Sequence, residues 1–128
     1  MGAIVPRDAG SIRSLHTVRV LLAADDPRFL RAARFLLERE GFAVVGACAT
    51  DVAASRARIE RPHAVVVDGN ESAAAAERTA FAIEASGLPL RVLVVASGGG
   101  RRGGLLTRTA ECGSFAELCA ELRRLYGR

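Results

Sequence analysis

Short apolar runs alternate with helix-like segments along most of the chain. Four apolar runs, at residues 18–24, 42–49, 63–67 and 90–96, are too short for helices and long enough for strands that are buried on both faces. We therefore predict four strands there. The weaker apolar segment 105–109 is predicted as a fifth strand.

The first two intervals between these runs carry helix signals. The first helix is predicted to begin at Pro27, a residue that suits the first helical position, directly after the capping residue Asp26. The second helix is predicted to be capped by Thr50 or Asp51 and to end before Pro62. Strand and helix thus alternate from the start of the apolar pattern.

The later intervals differ from one another. An alanine-rich helix is predicted over 72–86, and the last helix begins with a capping box of Ser114 and Glu117 and ends before Gly127. Between the fourth and fifth strands, however, residues 97–104 are mostly glycine and arginine. We expect a glycine- and arginine-rich loop there in place of a helix.

This alternation predicts a single α/β domain at 18–128 after a flexible leader at 1–17. Alternating strands and helices with short connections form a doubly wound parallel sheet with helices on both faces. Functional sites of such sheets lie beyond the carboxyl ends of the strands. The candidate residues are therefore Asp25, Asp26, Asp68, Gly69, Asn70, Ser97 and Arg108.

The charged residues narrow the possible functions. The net charge is +4, and every basic residue is an arginine. Without lysine, the chain has neither a phosphate loop that ends in Gly-Lys-Ser/Thr nor a Schiff-base lysine. The arginines are spread along the chain and adjacent only at 101–102 and 123–124, so we expect no direct binding of nucleic acid.

The cysteines and the apolar runs indicate an intracellular protein. The three cysteines form no Cys-x-x-Cys pair, so neither a disulfide framework nor a zinc site is indicated. No apolar run approaches the roughly 20 residues of a membrane span, and the start of the chain lacks the apolar stretch of a signal peptide. We therefore expect a cytoplasmic location and no membrane contact.

Two aspartates are predicted to meet at one edge of the sheet. Asp25 and Asp68 follow strands that should be neighbours, and carboxylate oxygens are ligands that Mg²⁺ prefers. With such a cation bound, a carboxylate can accept a phosphoryl group, and Ser97 and Arg108 at strand ends can donate hydrogen bonds to it. The structural alternative is that these residues cap helices, lie in loops or are solvated.

Taken together, residues 18–27 (VRVLLAADDP) and 64–68 (AVVVD) resemble the receiver domain of bacterial response regulators. The resemblance covers about 18–128 and implies a flavodoxin-like sheet with the strand order 2-1-3-4-5. It also implies that Asp68 accepts a phosphoryl group from a histidine kinase. By the same resemblance, Asn70 offers its backbone carbonyl to Mg²⁺, and Ser97 is the hydroxyl that follows the phosphoryl group.

The chain departs from the family's pattern at the acidic pair. Anchored on Pro27, the family's register places the pair at Ala24 and Asp25, which removes one carboxylate. A shift by one residue makes Asp25 and Asp26 the pair instead. The metal ligands implied by the resemblance are thus drawn from Asp25, Asp26, Asp68 and Asn70, and Mg²⁺ binding is expected to be weak or lost if the pair is broken.

A second departure concerns the family's lysine on strand five. The candidate replacement is Arg108, which is followed by threonine instead of proline. A planar guanidinium is bulkier than an ammonium group and binds oxyanions with a different geometry. The usual Pro and Asp-Gly after the acceptor aspartate are missing too. Phosphorylation of Asp68 is therefore expected to be impaired or absent.

The partner surface is expected to be altered as well. In receiver domains the surface of helix four, strand five and helix five commonly mediates dimerisation and output, so loss of helix four implies that any homodimer uses another face. The first helix, which contacts the kinase in that family, carries Arg28, Arg31, Arg34 and Arg39. These arginines form either a solvated face or a docking face for a histidine kinase or another signalling protein.

Two hypotheses follow, and other functions are disfavoured. The chain is either a pseudo-receiver that acts through protein contact or a working, Mg²⁺-dependent phosphoryl acceptor, and in neither case an enzyme. Gly98, Gly100 and Gly103 match a dinucleotide fingerprint, but they follow the fourth strand and open no helix. A DNA-binding effector would need further helices.

Overall fold

The computed structural model describes residues 17–96 and 109–127. Five parallel strands form one sheet in the order β2-β1-β3-β4-β5, which confirms the predicted sheet. The strands are β1 (Arg19–Ala23), β2 (Ala43–Cys48), β3 (Ala64–Asp68), β4 (Arg91–Val95) and β5 (Thr109–Cys112). The helices are α1 (Pro27–Arg39), α2 (Ala53–Glu60), α3 (Ala73–Ala85) and α4 (Phe115–Tyr126).

Several predicted features lie outside the described residues. They comprise all but the last residue of the leader at 1–17, and the glycine- and arginine-rich loop with its flanking residues Ser97 and Arg108. These features stay predictions. In the part of the chain that the structure describes, no helix is long and apolar enough to cross a membrane.

The fifth strand differs from its prediction. Residues 105–109 were predicted, whereas β5 runs over Thr109–Cys112. The prediction followed the apolar pair Leu105 and Leu106. The strand itself contains the charged Glu111 and has little apolar character, so its sequence carries a weaker signal. Arg108 itself lies outside the described residues and precedes β5 in the sequence, and the carboxyl end of β5 is at Cys112.

The first helix begins as predicted, and the second does not. Asp26 accepts a hydrogen bond from the backbone N–H of Arg28 and caps α1, which starts at Pro27. The predicted caps of α2 are wrong, because a 3₁₀ turn over Thr50–Val52 precedes the helix and no side chain caps it. The Thr50 side chain binds a different partner at the edge of the sheet.

The last helix is anchored by its predicted capping residues. The Ser114 hydroxyl accepts a hydrogen bond from the Glu117 N–H at 3.1 Å. The Glu117 carboxylate accepts one from the Gly113 N–H at 2.7 Å, one residue earlier than in a standard capping box. Both contacts fix the chain where it leaves β5.

The sheet has an apolar core on each face. Along β1, alternate side chains point to opposite faces, so the strand contributes to both cores. One core lies between the sheet and α1 with α4, and contains Val20, Leu22, Ala33, Leu37, Val66, Leu93, Leu118 and Leu122. The other lies under α2 and α3, and contains Leu21, Ala57, Val65, Val67, Ala80, Ile83 and Val92. Burial on both faces explains why the strands read as continuous apolar runs.

His63 joins three elements at the amino-terminal edge of the sheet. Its Nδ1 accepts a hydrogen bond from the Arg19 N–H at 2.9 Å, and its carbonyl accepts one from the Tyr126 hydroxyl at 2.7 Å. The Arg19 guanidinium also donates to the carbonyls of Glu60 and Arg61. Burial, followed by the charge of Arg19, lowers the pKa of His63. The neutral form of the His63 imidazole is therefore favoured in the folded protein.

We predict that the free energy of unfolding falls as the pH is lowered from about 7.5 to about 5.5. The folded pKa of His63 is lowered, so its contribution is fully present above the unfolded pKa and is lost as the pH falls through the folded pKa. Protonation of Nδ1 also removes the acceptor for the Arg19 N–H. Urea unfolding at a series of pH values measures the slope.

The chain's other histidine, His16, provides a matched control. The slope should flatten in His63→Asn and persist in His16→Asn. A slope that is unchanged in His63→Asn would assign the pH dependence to other groups.

Candidate functional site at the carboxyl ends of the strands

The candidate site lies where the chain direction across the sheet reverses. From β1 the chain moves outward to β2 and then returns to β3 on the other side of β1. Such a switch point leaves a crevice between the carboxyl ends of β1 and β3. The residues that follow these ends are Asp25 and Asp26 after β1, and Gly69 and Asn70 after Asp68.

Asp68 is the last residue of β3 and is buried. Its side chain is 8% exposed, and no other Asp or Glu is buried within 17–96 and 109–127. The carboxylate accepts a hydrogen bond from the Asn70 N–H at 2.9 Å. A buried carboxylate is costly without such partners. Asp68 therefore stands out from all other acidic residues of the described chain.

Gly69 fixes the loop that follows Asp68. Its N–H donates to the Val95 carbonyl at 2.8 Å, which ties the loop to the end of β4. A Cβ atom at this position would lie 2.6 Å from the Val94 Cγ1 atom, closer than real contacts allow. Only glycine fits this approach of the loop to β4, so Asp68 and Asn70 are held in a defined turn.

Asp25 is engaged with the neighbouring edge strand. Its Oδ1 accepts hydrogen bonds from the Thr50 N–H at 3.0 Å and from the Thr50 hydroxyl at 3.2 Å, and its Oδ2 lies 3.0 Å from that hydroxyl. This contact joins the chain after β1 to the chain after β2. It also explains why Thr50 does not cap α2.

Asp26 is engaged with its own helix. Its Oδ1 accepts from the Arg28 N–H at 2.9 Å and from Arg28 Nε at 3.2 Å, while Oδ2 accepts from Arg28 Nη2 at 3.1 Å. The side-chain and backbone hydrogen bonds from Arg28 lower the pKa of Asp26, and the charge of Arg31 adds to this effect. Asp26 raises the pKa of Arg28, and the charge of Glu71 raises it further.

The carboxyl end of β5 offers no basic side chain. Residues 109–114 read TAECGS and contain neither arginine nor lysine. The register places Val95 opposite both Asp68 and Cys112, so Cys112 lies in the row of the sheet that contains Asp68. Its thiol is buried. The lysine that the receiver resemblance implies therefore has no cationic counterpart in residues 109–114.

The carboxylates of Asp25 and Asp26 are engaged by protein partners and do not converge on a shared point. Both oxygens of Asp25 contact Thr50, and both oxygens of Asp26 contact Arg28. Mg²⁺ needs carboxylate oxygens that converge on one point and keeps several waters besides. Across residues 17–96 and 109–127, no three side chains of His, Cys, Asp or Glu are grouped closely enough to hold a metal.

The sequence analysis did not identify the roles that three residues have at this site. Thr50 was predicted only as a cap, Arg28 only as part of the face of the first helix, and Glu71 was not considered. The strand order itself places the ends of β1 and β2 side by side, which is a signal for the Asp25–Thr50 contact. For Arg28 the signal is its position two residues after a helix cap.

A further exposed surface runs along α1. Arg28, Arg31, Phe35 and Arg39 are all exposed and spaced three or four residues apart, which places them on one side of the helix. We call this set the arginine–phenylalanine face. The Phe35 side chain is 62% exposed, and the Arg39 guanidinium lies 5.9 Å from the centre of its ring. An exposed aromatic among arginines is the composition typical of binding hot spots.

Comparisons with solved structures agree on one fold. A receiver domain of NarL from Mycobacterium tuberculosis matches with a TM-score of 0.58 and 23% identity over 66% of this chain and 69% of that chain. A DNA-binding response regulator of the LuxR family from Staphylococcus aureus matches with a TM-score of 0.62 and 14% identity, over 87% and 99%. The receiver domain of a modulated diguanylate cyclase from Desulfovibrio desulfuricans matches with a TM-score of 0.61 and 20% identity, over 87% and 94%.

Comparisons at the level of sequence found nothing similar. No family model matches the chain, and no curated protein sequence matches it. The structural likeness is therefore carried by the order of the elements and the sheet, at identities below 25%. The chain has the fold of a response-regulator receiver domain.

Proposed function

We propose that the chain is a receiver-type signalling module that acts through protein–protein contact, with phosphorylation of Asp68 impaired or absent. The observation that carries this proposal is that Asp25 and Asp26 each already have a protein partner, Thr50 and Arg28. On this proposal the chain works in the cytoplasm and is not an enzyme.

Charge at the crevice supports the proposal. A phosphoryl group on Asp68 replaces the single negative charge of the carboxylate with roughly two, in a crevice that already contains Asp25, Asp26 and Glu71. The strand that supplies a lysine in the receiver family ends here in TAEC, and the turn after it is also without a basic residue. The added charge therefore lacks the cationic side chain that would offset it from β5.

The arginine–phenylalanine face of α1 is the surface that we propose for docking. Three of its four residues are cationic, and Phe35 provides an apolar anchor in the middle of the stripe. Long-range attraction to an acidic protein surface and burial of the aromatic ring on contact would combine there. The partner proposed is a histidine kinase or another signalling protein with an acidic surface and an apolar pocket.

A working, Mg²⁺-dependent phosphoryl acceptor is the alternative function. It is favoured by the position of Asp68, a buried carboxylate at the carboxyl end of a central strand, followed by a loop that Gly69 holds in place. The exposed ion pair between Asp26 and Arg28 is of a kind that contributes little to stability. It can therefore rearrange at small cost, which keeps this alternative open to direct test.

Incubation with acetyl phosphate and Mg²⁺ separates the two functions. We predict no gain of a phosphoryl group by wild-type protein, measured by intact mass, because the crevice does not supply the charges that the product needs. The Asp68→Asn variant is the matched control, and circular dichroism verifies that both proteins are folded. A mass gain in wild type that disappears in Asp68→Asn would establish the alternative.

A double-mutant cycle tests whether the hydrogen bonds between Asp25 and Thr50 stabilise the fold. We predict that Thr50→Val lowers the free energy of unfolding by about 1 kcal/mol, because the hydroxyl bonds are lost. Asp25→Ala and Thr50→Val should be coupled by about 0.5 kcal/mol or more. Urea unfolding of both single variants and the double variant provides the values. Additive effects, or higher stability of Asp25→Ala, would show that Asp25 is not committed to Thr50.

The docking face is tested with two equally exposed phenylalanines. Phe35 on α1 and Phe81 on α3 are each 62% exposed, so Phe81→Ala controls for the loss of a surface aromatic. In pull-downs from the native host, proteins retained by wild type and by Phe81→Ala should be lost with Phe35→Ala, and quantitative mass spectrometry measures the loss. Equal retention by both variants would exclude the α1 face as the docking surface.

A further inference from the structure

We propose that Arg28 is a built-in counter-ion of the acidic crevice, which takes the charge-neutralising position of a divalent cation and weakens the binding of such a cation there. This inference deepens the proposed function and rests on it, since it names the residue that lowers the affinity of the crevice for a metal ion. It concerns a side chain that sequence reasoning assigned only to the face of the first helix.

Arg28 binds the Asp26 carboxylate through two nitrogens, so it can neutralise this carboxylate in place of a cation. Two nitrogens of the guanidinium, Nε and Nη2, bind the two carboxylate oxygens at 3.2 and 3.1 Å. A planar guanidinium matches a carboxylate in this bidentate manner, whereas a lysine would act as a single point charge. The positive charge therefore lies against both oxygens of Asp26, a carboxylate that the receiver resemblance offers as a candidate metal ligand.

Arg28 interacts electrostatically with acidic residues from both sides of the crevice. Asp26 follows β1, and Glu71 belongs to the loop that follows β3. The pKa of Arg28 is raised by Asp26 first and by the charge of Glu71 as well, so the guanidinium is attracted from both sides of the switch point. Asp25 does not compete for Arg28, because its carboxylate is held by Thr50.

The exposure of the pair sets the size of the effect. The side chain of Arg28 is 82% exposed and that of Asp26 is 25% exposed. Exposed ion pairs are weak and are screened by salt. Arg28 therefore competes with a cation and does not exclude it, so a change in affinity of a few fold is expected at low ionic strength.

Arg31 provides a matched control. It lies on the same helix, nearly one turn further from Asp26, and its charge also lowers the pKa of that carboxyl. Within the described residues, the hydrogen bonds to the Asp26 side chain all come from Arg28. Arg28→Gln and Arg31→Gln therefore remove the same charge, but only the first frees the carboxylate oxygens. In Arg28→Gln the backbone N–H that caps α1 remains.

The experiment is a titration of wild type, Arg28→Gln and Arg31→Gln with Mg²⁺ at low ionic strength. Amide resonances of Asp26, Asp68 and Asn70 in ¹H–¹⁵N spectra report both the location and the affinity of binding. We expect the Arg28→Gln variant to bind about three- to fivefold more tightly than wild type, and Arg31→Gln to change the affinity by less than about twofold.

Three results would overturn the inference: equal affinities of Arg28→Gln and wild type, equal affinities of the two variants, or no shifts at the crevice in any of the three proteins. The outcome is separable from the phosphorylation test. A phosphoryl gain by wild type contradicts the proposed function but leaves the affinity ratio to be measured, whereas an unchanged ratio removes the role of Arg28 and leaves the proposed function standing.

Discussion

Several carboxylates lie at the carboxyl edge of the parallel sheet and repel one another. The rest of the site depends on the groups that offset this repulsion. The strand order brings the residues after β1 and β3 to the same crevice, so Asp25, Asp26, Asp68 and Glu71 are all placed near it. Charges of one sign in a cleft focus the electrostatic field there. The protein offsets part of this charge with its own groups: the Thr50 hydroxyl, the Arg28 guanidinium and the Asn70 N–H.

On the proposed function, the chain keeps the receiver fold without the phosphorylation chemistry that the receiver resemblance implies. Likeness to receiver domains at 14–23% identity shows the architecture, while function is a property of the site built on it. Here Asp25 contacts Thr50 and Asp26 contacts Arg28. No basic side chain lies at the carboxyl end of the fifth strand. On the proposed function, the same scaffold supports the arginine–phenylalanine face, and docking there does not depend on phosphorylation.

The fold was largely predictable from sequence, because strands buried on both faces and helices with capping residues leave strong local signals. Asp26 with Pro27 and Ser114 with Glu117 mark helix starts that the structure has in place. The bounds of the fifth strand were predicted poorly because β5 is short and contains Glu111, while the apolar residues Leu105 and Leu106 lie upstream of it in the sequence. Local hydropathy cannot choose between such segments when the sheet itself supplies most of the stabilisation.

The sequence predicted which edge of the sheet carries the candidate site, but not which residues its carboxylates contact. The carboxyl ends of the strands follow from topology, so Asp25, Asp26 and Asp68 were identified correctly as residues of that edge. Which partner each carboxylate takes depends on side-chain rotamers and on the approach of separate loops. Thr50 and Arg28 therefore emerged only from the three-dimensional arrangement.

The most direct test of the central claim, that Arg28 neutralises Asp26 within the crevice, is a titration of the side-chain carboxyl carbon of Asp26 by ¹³C NMR, with and without Mg²⁺. The account predicts a pKa below the ordinary value of aspartate in the metal-free protein, since the hydrogen bonds from Arg28 favour the charged form. It predicts that a given concentration of Mg²⁺ lowers this pKa less in wild type than in Arg28→Gln. An ordinary pKa without metal that falls sharply when Mg²⁺ is added would contradict the account, because the cation and not Arg28 would then be the partner of Asp26.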